Sequence, residues 1–310
     1  MTRPGDRAWD EVIEVAPPSA ADAALHEDAP AKINLCLLLG PGRADGRHEL
    51  VTVFQPLALA DHLRLEPRAL GAAADEVRCA GVEGENLAAV ALRRFRERTG
   101  WSGPPVRVTI EKRIPIAGGM AGGSGDAAAT LRLAARAAGT EDDELLLDLA
   151  AGLGSDVPAQ VRPRRYLAMG AGERLRPLPA APPLGVLVLP SRERLATADV
   201  YAEADRRGLD RGAGELAQAV GELEAVGGAV PPALIVNDLE PAARALCPSV
   251  DEALDAARAV GASHAMVCGS GPTVIGLFAD LVAARGAAAR LSERDPRPIA
   301  TETLREASAA

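Results

Sequence analysis

A glycine-rich segment between an alternating strand and an alanine-rich helix constrains this chain more than any other feature. Val106, Val108 and Ile110 alternate with polar residues, which is the period-two pattern of a half-buried strand. The segment PIAGGMAGGSG follows at 115–125, and residues 126–138 are rich in Ala and Leu and favour a helix. Glycines let a backbone approach a ligand closely, and a helix N-terminus attracts anions. The pattern predicts a phosphate-binding loop, with a flexible surface turn as the alternative.

The glycine segment differs from the two commonest nucleotide-binding patterns. No Lys follows the glycines as in G-x-x-x-x-G-K-[ST], and the match to G-x-G-x-x-G is poor. An acidic residue about 20 positions further on, at the end of a second parallel strand, is also missing, which excludes a Rossmann oxidoreductase. A second cluster, CGSGPT at 268–273, lies between two apolar segments, where a tight hairpin needs only two residues. This cluster is either a second anion-facing loop or an ordinary hairpin connection.

Length, charge and cysteine usage narrow the class of protein. The 310 residues leave room for two packed domains, and with 48% apolar but only 2% aromatic residues the core must be built from Ala, Val and Leu. The net charge of -9 argues against a nucleic-acid partner. The four cysteines form no C-x-x-C pair, so we expect neither a zinc site nor a disulfide framework. Neither a signal peptide nor a membrane span of about 20 apolar residues is indicated, and we expect a soluble cytoplasmic protein.

The order of elements predicts an α+β protein of two domains. Two strands at 31–39 and 48–59 are joined by a glycine-rich connection, Asn86 and Gly100 are expected to cap a helix, and Thr140 is expected to begin another. A Pro/Ala-rich stretch at 177–183 predicts the domain boundary. The expected later elements are strands at 184–189, 263–268, 273–278 and 297–301, and a helix at 280–292. We predict a disordered extension at 1–28, a first domain at 29–180 and a second at 181–310.

Two charged residues stand out from their surroundings. Lys32 lies in the strand AKINLCLLL, where alternation places it on one face with Asn34, opposite Ile33 and Leu35. That polar face must meet water or a ligand. Asp156, in GSDVP, is either a general base for proton abstraction or a helix-cap or turn aspartate.

Several motifs together resemble the GHMP kinase family, which includes galactokinase, homoserine kinase and mevalonate kinase. They are PAKINL at 30–35, ADGRHEL at 44–50, KRIPIAGGMAGGSGDAAATL at 112–131, LGSDVP at 153–158 and GSGPT at 269–273, in the family's order. Within that family, four motifs resemble those of the members that phosphorylate a cytidine diphosphate-linked methylerythritol in non-mevalonate isoprenoid synthesis. These four are PAKINL, ADGRHEL, NDLEPAA at 237–243 and GAGE at 170–173. The resemblance covers about residues 29–279.

The resemblance implies a two-domain GHMP kinase fold with the active site in the cleft. The N-terminal ATP-binding α/β domain would resemble domain 2 of ribosomal protein S5, and the C-terminal α+β domain would be ferredoxin-like. The implied cofactors are ATP and Mg²⁺. By the family pattern Asn86 and Lys112 would face the nucleoside, and the phosphates would be wrapped by Pro115, Ile116, Ala117, Gly118, Gly119, Met120, Ala121, Gly122, Gly123, Ser124 and Gly125, with Ser124 near Mg²⁺.

The resemblance also implies the acceptor side of the cleft. Asp156 would be the catalytic base and Lys32 its cationic partner. The pocket for the cytidine diphosphate-linked sugar alcohol would be lined by Asn34, His48, Thr197, Tyr201, Gly269 and Ser270. From residue type alone, His48 is equally a structural histidine and Tyr201 a core residue. The family pattern further implies a small-molecule kinase. From the charge and the apolar pattern we expect no nucleic-acid or membrane partner, and we expect a monomer or a weak homodimer.

Three departures from the family pattern affect these expectations. Arg47 stands where the family usually has Tyr, and its guanidinium plane could stack on the cytosine instead. Gly125 stands where Ser or Ala is common, and Arg162, Arg164 and Arg165 form a cluster that we expect to be a solvated edge. The alternatives are another GHMP kinase, of the homoserine or mevalonate type, and a non-catalytic nucleotide-binding homologue.

Overall fold

A long antiparallel hairpin forms the centre of the molecule. The computed structural model describes residues 24–69, 71–82, 84–140, 142–226 and 229–304. Strands β1 (Leu25–Gly42) and β2 (His48–Pro67) pair from Leu25 opposite Leu65 to Gly42 opposite His48. Residues 25–28, predicted to be part of a disordered extension, are therefore strand. Their acidic character misled the prediction, because Glu27 forms ion pairs with Arg132 and Arg136. The rest of that extension, residues 1–23, lies outside the described residues.

The first half of the chain forms a mixed sheet covered by helices. Its further elements are β3 (Glu76–Cys79), α1 (Leu87–Thr99), β4 (Val106–Glu111), α2 (Gly122–Ala138), α3 (Asp143–Ala151), α4 (Val157–Val161), β5 (Tyr166–Gly170) and β6 (Arg174–Pro177). The strand order is β3-β4-β2-β5-β6, with β1 paired to β2. In β4 the burial alternates as the sequence predicts, and the buried Val108 and Ile110 pack against the fully buried Phe95 and Leu131 in one core.

The ends of the helices follow from local backbone chemistry. Asn86 caps α1 by accepting a hydrogen bond from the Ala88 N–H, and Gly100 ends it in a left-handed conformation, both as predicted. Helix α2 begins four residues earlier than predicted, at Gly122, so the last four residues of the glycine segment are helical. Thr140 does not cap α3. Its N–H donates to Ala135 O at the end of α2, and Asp142 is the cap instead.

The second half of the chain contains a four-stranded antiparallel sheet with the order β10-β7-β9-β8. Its elements are β7 (Gly185–Leu189), α5 (Thr197–Arg207), α6 (Ala213–Ala225), α7 (Glu240–Leu246), α8 (Ser249–Ala259), β8 (His264–Val267), β9 (Val274–Phe278), α9 (Leu281–Arg290) and β10 (Ile299–Glu302). The predicted strands and the last helix agree with β7 to β10 and α9 within two residues. Position 185 has no room for a side chain, because a Cβ on Gly185 would lie 1.9 Å from Asp280 O.

The two halves are joined through β1. The Leu37 N–H donates to Val236 O at 2.8 Å, and the Asp238 N–H donates to Leu37 O at 2.9 Å. One apolar core combines Ile33 and Leu57 of the hairpin with Val186 and Ile275 of the second sheet. A cleft between the halves is therefore built on shared, buried strands. Among the described residues no helix is long and apolar enough to cross a membrane.

Candidate active site

Two cavities meet at the glycine segment. The first, of about 300 Å³, is lined by residues 115–123 together with Asn86, Lys112 and Asp126. The second, of about 280 Å³, lies between the two halves and is lined by side chains from both, including Lys32, Asp156 and Tyr201. Gly119 and Ala121 belong to the walls of both. A molecule in either cavity would therefore touch the same backbone segment.

The two glycine clusters pack directly against each other. Gly119 has a φ of +73°, and a Cβ there would lie 2.1 Å from Cys268 O. A Cβ on Gly118 would lie 2.6 Å from the Thr273 side chain. The second cluster is therefore more than a hairpin connection, because it fixes the shape of the first. The backbone of β1 supports the same loop, since the Lys32 N–H donates to Met120 O at 3.1 Å.

The loop ends in the N-terminus of α2. Ala121, with a φ of +55°, precedes the helix, and the first backbone N–H groups of any helix have no intrahelical acceptor. Such groups attract anions. Ser124 is half-buried in this first turn. Gly125, which the sequence placed among the loop residues, lies instead against Ala29 and Pro30 of β1, within 4 Å of a Cβ placed on it.

Lys112 lies in the wall of the first cavity between two carboxylates. Its Nζ donates to Asp61 at 2.5 Å and to Asp126 at 2.8 Å. Burial alone would lower the pKa of Lys112, but the two carboxylates outweigh it and the pKa is raised. Burial raises the pKa of Asp126 to about 6, although Lys112 acts in the opposite direction. Asp61 also accepts hydrogen bonds from the Arg113 and Ile114 N–H groups, so it holds the entrance of the loop.

Asp61 and Asp126 were missed by the sequence reasoning. The signal that could have found Asp61 is a lone carboxylate within the apolar run of LALADHL. Asn86 also lines the first cavity and uses its side-chain oxygen to cap α1.

Lys32 and Asp156 face each other in the second cavity. Lys32 Nζ lies 3.3 Å from Asp156 Oδ2, donates to Asn34 Oδ1 at 3.0 Å and lies 4.5 Å from the centre of the Phe54 ring. Lys32 is only 6% exposed, so its strand face is not a solvated one. Asp156 begins α4, but within the described residues its carboxylate makes no capping hydrogen bond. The carboxylate is therefore open to the cavity and neutralised by one buried ammonium.

The remaining wall comes from the second half of the chain. Thr197 and Ser270 are joined by a hydrogen bond of 3.0 Å between their hydroxyls, and both line the cavity with Gly269 and Tyr201. Burial, and then the charge of Asp156, raise the pKa of Tyr201 to about 12, so its phenol is neutral. Tyr201 also packs against the core of this half, so it is a core residue as well as part of the cavity wall.

His48 and Arg47 were both expected in the acceptor pocket, but neither is among the described residues that line the two cavities. The His48 ring centre is 5.1 Å from that of Tyr201, and its Nε2 is 2.7 Å from Asp205. His48 thus supports Tyr201 from behind. The Arg47 guanidinium is half exposed and bound to Asp45 at 2.8 Å. This ion pair holds the Arg47 side chain at the hairpin turn, away from the described residues that line the two cavities.

Several wall residues were not found from the sequence. Thr52, Phe54 and Ser155 line the second cavity, together with Ala171 and Gly172 of the turn between β5 and β6. Ser155, Ala171 and Gly172 lie within quoted motifs, whereas Thr52 and Phe54 follow the motif at 44–50 by a few residues. Arg165 corrects another expectation, because it is 3% exposed and does not belong to a solvated edge.

Comparison with known proteins identifies the family. The model of the GHMP kinases N terminal domain matches residues 86–163, and that of the GHMP kinases C terminal matches residues 208–297. A protein of Leifsonia xyli subsp. xyli (strain CTCB07) named 4-diphosphocytidyl-2-C-methyl-D-erythritol kinase is 38% identical over 83% of this chain and 89% of its own length. Its namesake from Anaeromyxobacter dehalogenans (strain 2CP-C) is 42% identical over 86% and 84%.

Solved structures agree with this result. A crystal structure of 4-(cytidine 5'-diphospho)-2C-methyl-D-erythritol kinase is 36% identical, covers 90% of this chain and 99% of its own, and superposes with a TM-score of 0.75. The mevalonate kinase of L. major in complex with R-mevalonate shares the fold, with a TM-score of 0.69 over 93% and 98% of the two chains at 14% identity. The chain belongs to the GHMP kinase family, and within it to the group of 4-diphosphocytidyl-2-C-methyl-D-erythritol kinases.

Proposed function

We propose that this chain transfers the γ-phosphoryl group of ATP to the 2-hydroxyl of 4-diphosphocytidyl-2-C-methyl-D-erythritol, a step of the non-mevalonate isoprenoid pathway in the cytoplasm. The names of its relatives supply the acceptor. The observation that carries the proposal is the 3.3 Å pair of Lys32 and Asp156 in the second cavity, which shares Gly119 and Ala121 with the first. A carboxylate beside an ammonium, next to a loop that can hold phosphates, is the arrangement that phosphoryl transfer to an alcohol requires.

The first cavity would take ATP. The phosphates would lie along residues 115–124, at the N-terminus of α2, and the nucleoside near Asn86 and Lys112. Mg²⁺ would neutralise phosphate charge. The described residues hold no group of three or more His, Cys, Asp and Glu side chains suited to a metal, so a metal would be held mainly by the phosphates and water, with the Ser124 hydroxyl as a protein ligand.

The second cavity would take the acceptor. Its volume, about 280 Å³, and its mixed polar and aromatic wall suit part of a nucleoside diphosphate-linked polyol. Tyr201 would stack on the cytosine, with His48 behind it, and Asn34 and Thr197 would face the substrate. Gly269 and Ser270 would lie near the reacting end. Arg47 could reach the cytosine only after leaving Asp45.

The proposed reaction needs little covalent chemistry from the protein. Asp156 accepts the proton of the acceptor hydroxyl while the oxygen of that hydroxyl forms the new bond to the γ-phosphorus. The bond from the γ-phosphorus to the β,γ-bridging oxygen breaks at the same time and releases ADP. The Lys32 ammonium holds the Asp156 carboxylate in position and places positive charge beside the transferring group. Both effects require the pair to remain in contact throughout the transfer.

A coupled assay of ATP consumption tests the proposal against its alternatives. We expect turnover with the cytidylylated methylerythritol and none with homoserine or mevalonate. Turnover with one of the latter only would support a different GHMP kinase, and no turnover with any of them would support a non-catalytic homologue.

Asp156→Asn tests the assignment of the base. We expect kcat to fall by about 10²- to 10⁴-fold while the affinity for ATP changes little. Asp148→Asn is the matched control, because that carboxylate lies on α3 with 72% of its side chain exposed. Equal kcat values for the two variants would remove Asp156 from the mechanism.

A further inference from the structure

A chain of hydrogen bonds runs from Lys32 into the sheet. Lys32 Nζ donates to Asn34 Oδ1 at 3.0 Å, and Asn34 Nδ2 donates to Thr52 Oγ1 at 2.7 Å. The Thr52 hydroxyl in turn donates to Cys36 O at 2.6 Å. The three side chains are between 1% and 6% exposed, so water has little access to them. Each of these three polar side chains must therefore find its hydrogen-bond partners within the protein.

The last bond fixes the direction of all the others. A backbone carbonyl can only accept, so the single proton of the Thr52 hydroxyl is committed to Cys36 O. The Thr52 oxygen can then only accept, and the group of Asn34 that faces it must be the NH₂. The amide oxygen of Asn34 is consequently turned toward Lys32. We propose that Thr52 is a positioning residue of the active site, which orients the Asn34 amide so that it accepts from the Lys32 ammonium.

An irregularity of the hairpin creates this contact. Asn34 is paired with Phe54, but Leu37 is paired with Thr52, so the register of β1 on β2 shifts by one residue in between. Cys36 lies within the shift, and its carbonyl is the one that the Thr52 hydroxyl reaches. Bulges of this kind re-aim side chains beside functional sites.

A reversed amide would disturb the reacting pair. Lys32 Nζ is held by Asn34 Oδ1, Asp156 and the face of Phe54. If Asn34 presented its NH₂ instead, two donors would face each other in a buried site, and the ammonium would have to move. Thr52 lines the same cavity but acts on Asp156 only through Asn34 and Lys32.

The composition of the chain allows a direct measurement. Lysine occurs only at positions 32 and 112, so a protein labelled with ¹³C at the lysine ε-carbon gives two signals, which Lys112→Arg assigns. We expect Thr52→Val to shift the Lys32 signal and leave that of Lys112 in place. Thr52→Ser, which keeps the hydroxyl, should restore the wild-type position. Thr301→Val, at another buried strand threonine, is the matched control.

Kinetics give the second readout. We expect Thr52→Val to lower kcat by about 10- to 100-fold, the scale of a small misplacement of a reacting group, with the KM for ATP within about twofold of wild type. The proposal is overturned if the Lys32 signal and kcat are unchanged in Thr52→Val. It is also overturned if Thr52→Ser behaves like Thr52→Val, because the hydroxyl would then not be the cause.

The wild-type protein provides a test that needs no variant to fold. Asparagine occurs only at positions 34, 86 and 237, so ¹⁵N-asparagine labelling gives three side-chain amides. The Asn34 NH₂ protons should show stronger nuclear Overhauser effects to the Thr52 methyl group than to the Lys32 ε-protons. The opposite pattern would refute the proposal.

The inference rests on the proposed function only where it concerns kcat. If the wild type phosphorylates none of the three acceptors, the proposed function fails, while the two labelling experiments still decide whether Thr52 orients Asn34.

Discussion

Gly119→Ala should damage both the stability of the protein and the conformation of the glycine segment at 115–125. A Cβ essentially never approaches another heavy atom to within 3.0 Å, and here it would lie 2.1 Å from Cys268 O, so the two glycine clusters must separate by about 1 Å. The φ of +73° adds a second cost, because L-residues are disfavoured in the left-handed region. The same contact joins the two cavities at their common wall.

The magnitude follows from these two costs. Overpacking costs about 1–3 kcal/mol and the left-handed conformation about 1–2 kcal/mol, while the stiffer unfolded chain returns about 0.4–1 kcal/mol. We expect a net loss of about 2–4 kcal/mol in the free energy of unfolding, or about 3–6 °C in Tm for a chain of this size. A 1 Å displacement of the loop should also lower kcat by about 10²-fold.

Thermal unfolding and steady-state kinetics check this prediction against a matched glycine. Among the described residues nothing lies within 4 Å of a Cβ placed on Gly123, which is in the first turn of α2. Gly123→Ala should therefore leave Tm unchanged or slightly raised. Equal Tm values for the two variants would refute the reasoning that the second glycine cluster dictates the shape of the first.

Three further predictions concern buried or bridging carboxylates. Because the pKa of Asp126 is raised from 3.8 to about 6, the folded state binds the Asp126 proton more tightly than the unfolded state does, and the free energy of unfolding should fall as the pH rises from about 4 to about 6. Urea unfolding measured at several pH values should show this decrease in the wild type and not in Asp126→Asn. Asp61→Ala should lower the free energy of unfolding by about 3–5 kcal/mol in urea, because Lys112 loses a buried partner. Glu173→Gln should raise the acceptor KM about 3- to 10-fold and leave the KM for ATP unchanged, because Glu173 accepts the Ala171 N–H and shapes the second cavity.

Local patterns in the sequence were sufficient for the elements around the first cavity. The alternation of Val106 to Ile110, the Asn86 cap and the Gly100 terminator depend only on residues close in the chain, and all three are confirmed. The placement of Lys32 and Asn34 on one strand face is also confirmed, since the two side chains are hydrogen-bonded. These features need no knowledge of what packs against them.

Features that depend on distant partners could not be predicted. The shift of register near Cys36 arises from how β1 meets β2, and it decides which threonine reaches which carbonyl. Asp61 is 51 residues from Lys112 in the chain, so nothing local reveals that the two are paired. Arg47 was expected at the cytosine because of a position in a motif, but the ion pair with Asp45 is a local competitor that a motif does not record.

The composition carries a signal that the motifs did not use. Lys and Arg together number 34, yet lysine occurs only at positions 32 and 112, and each of these ammonium groups lies at one of the two cavities. A guanidinium is a broad planar fork, whereas an ammonium is a compact charge that can fit between two carboxylates or between a carboxylate, an amide and a ring face. The surface of this chain uses Arg for its positive charge. Lysine is found where the space around the charge is small and its partners converge from several directions, and these are the places where phosphate and acceptor would meet the protein.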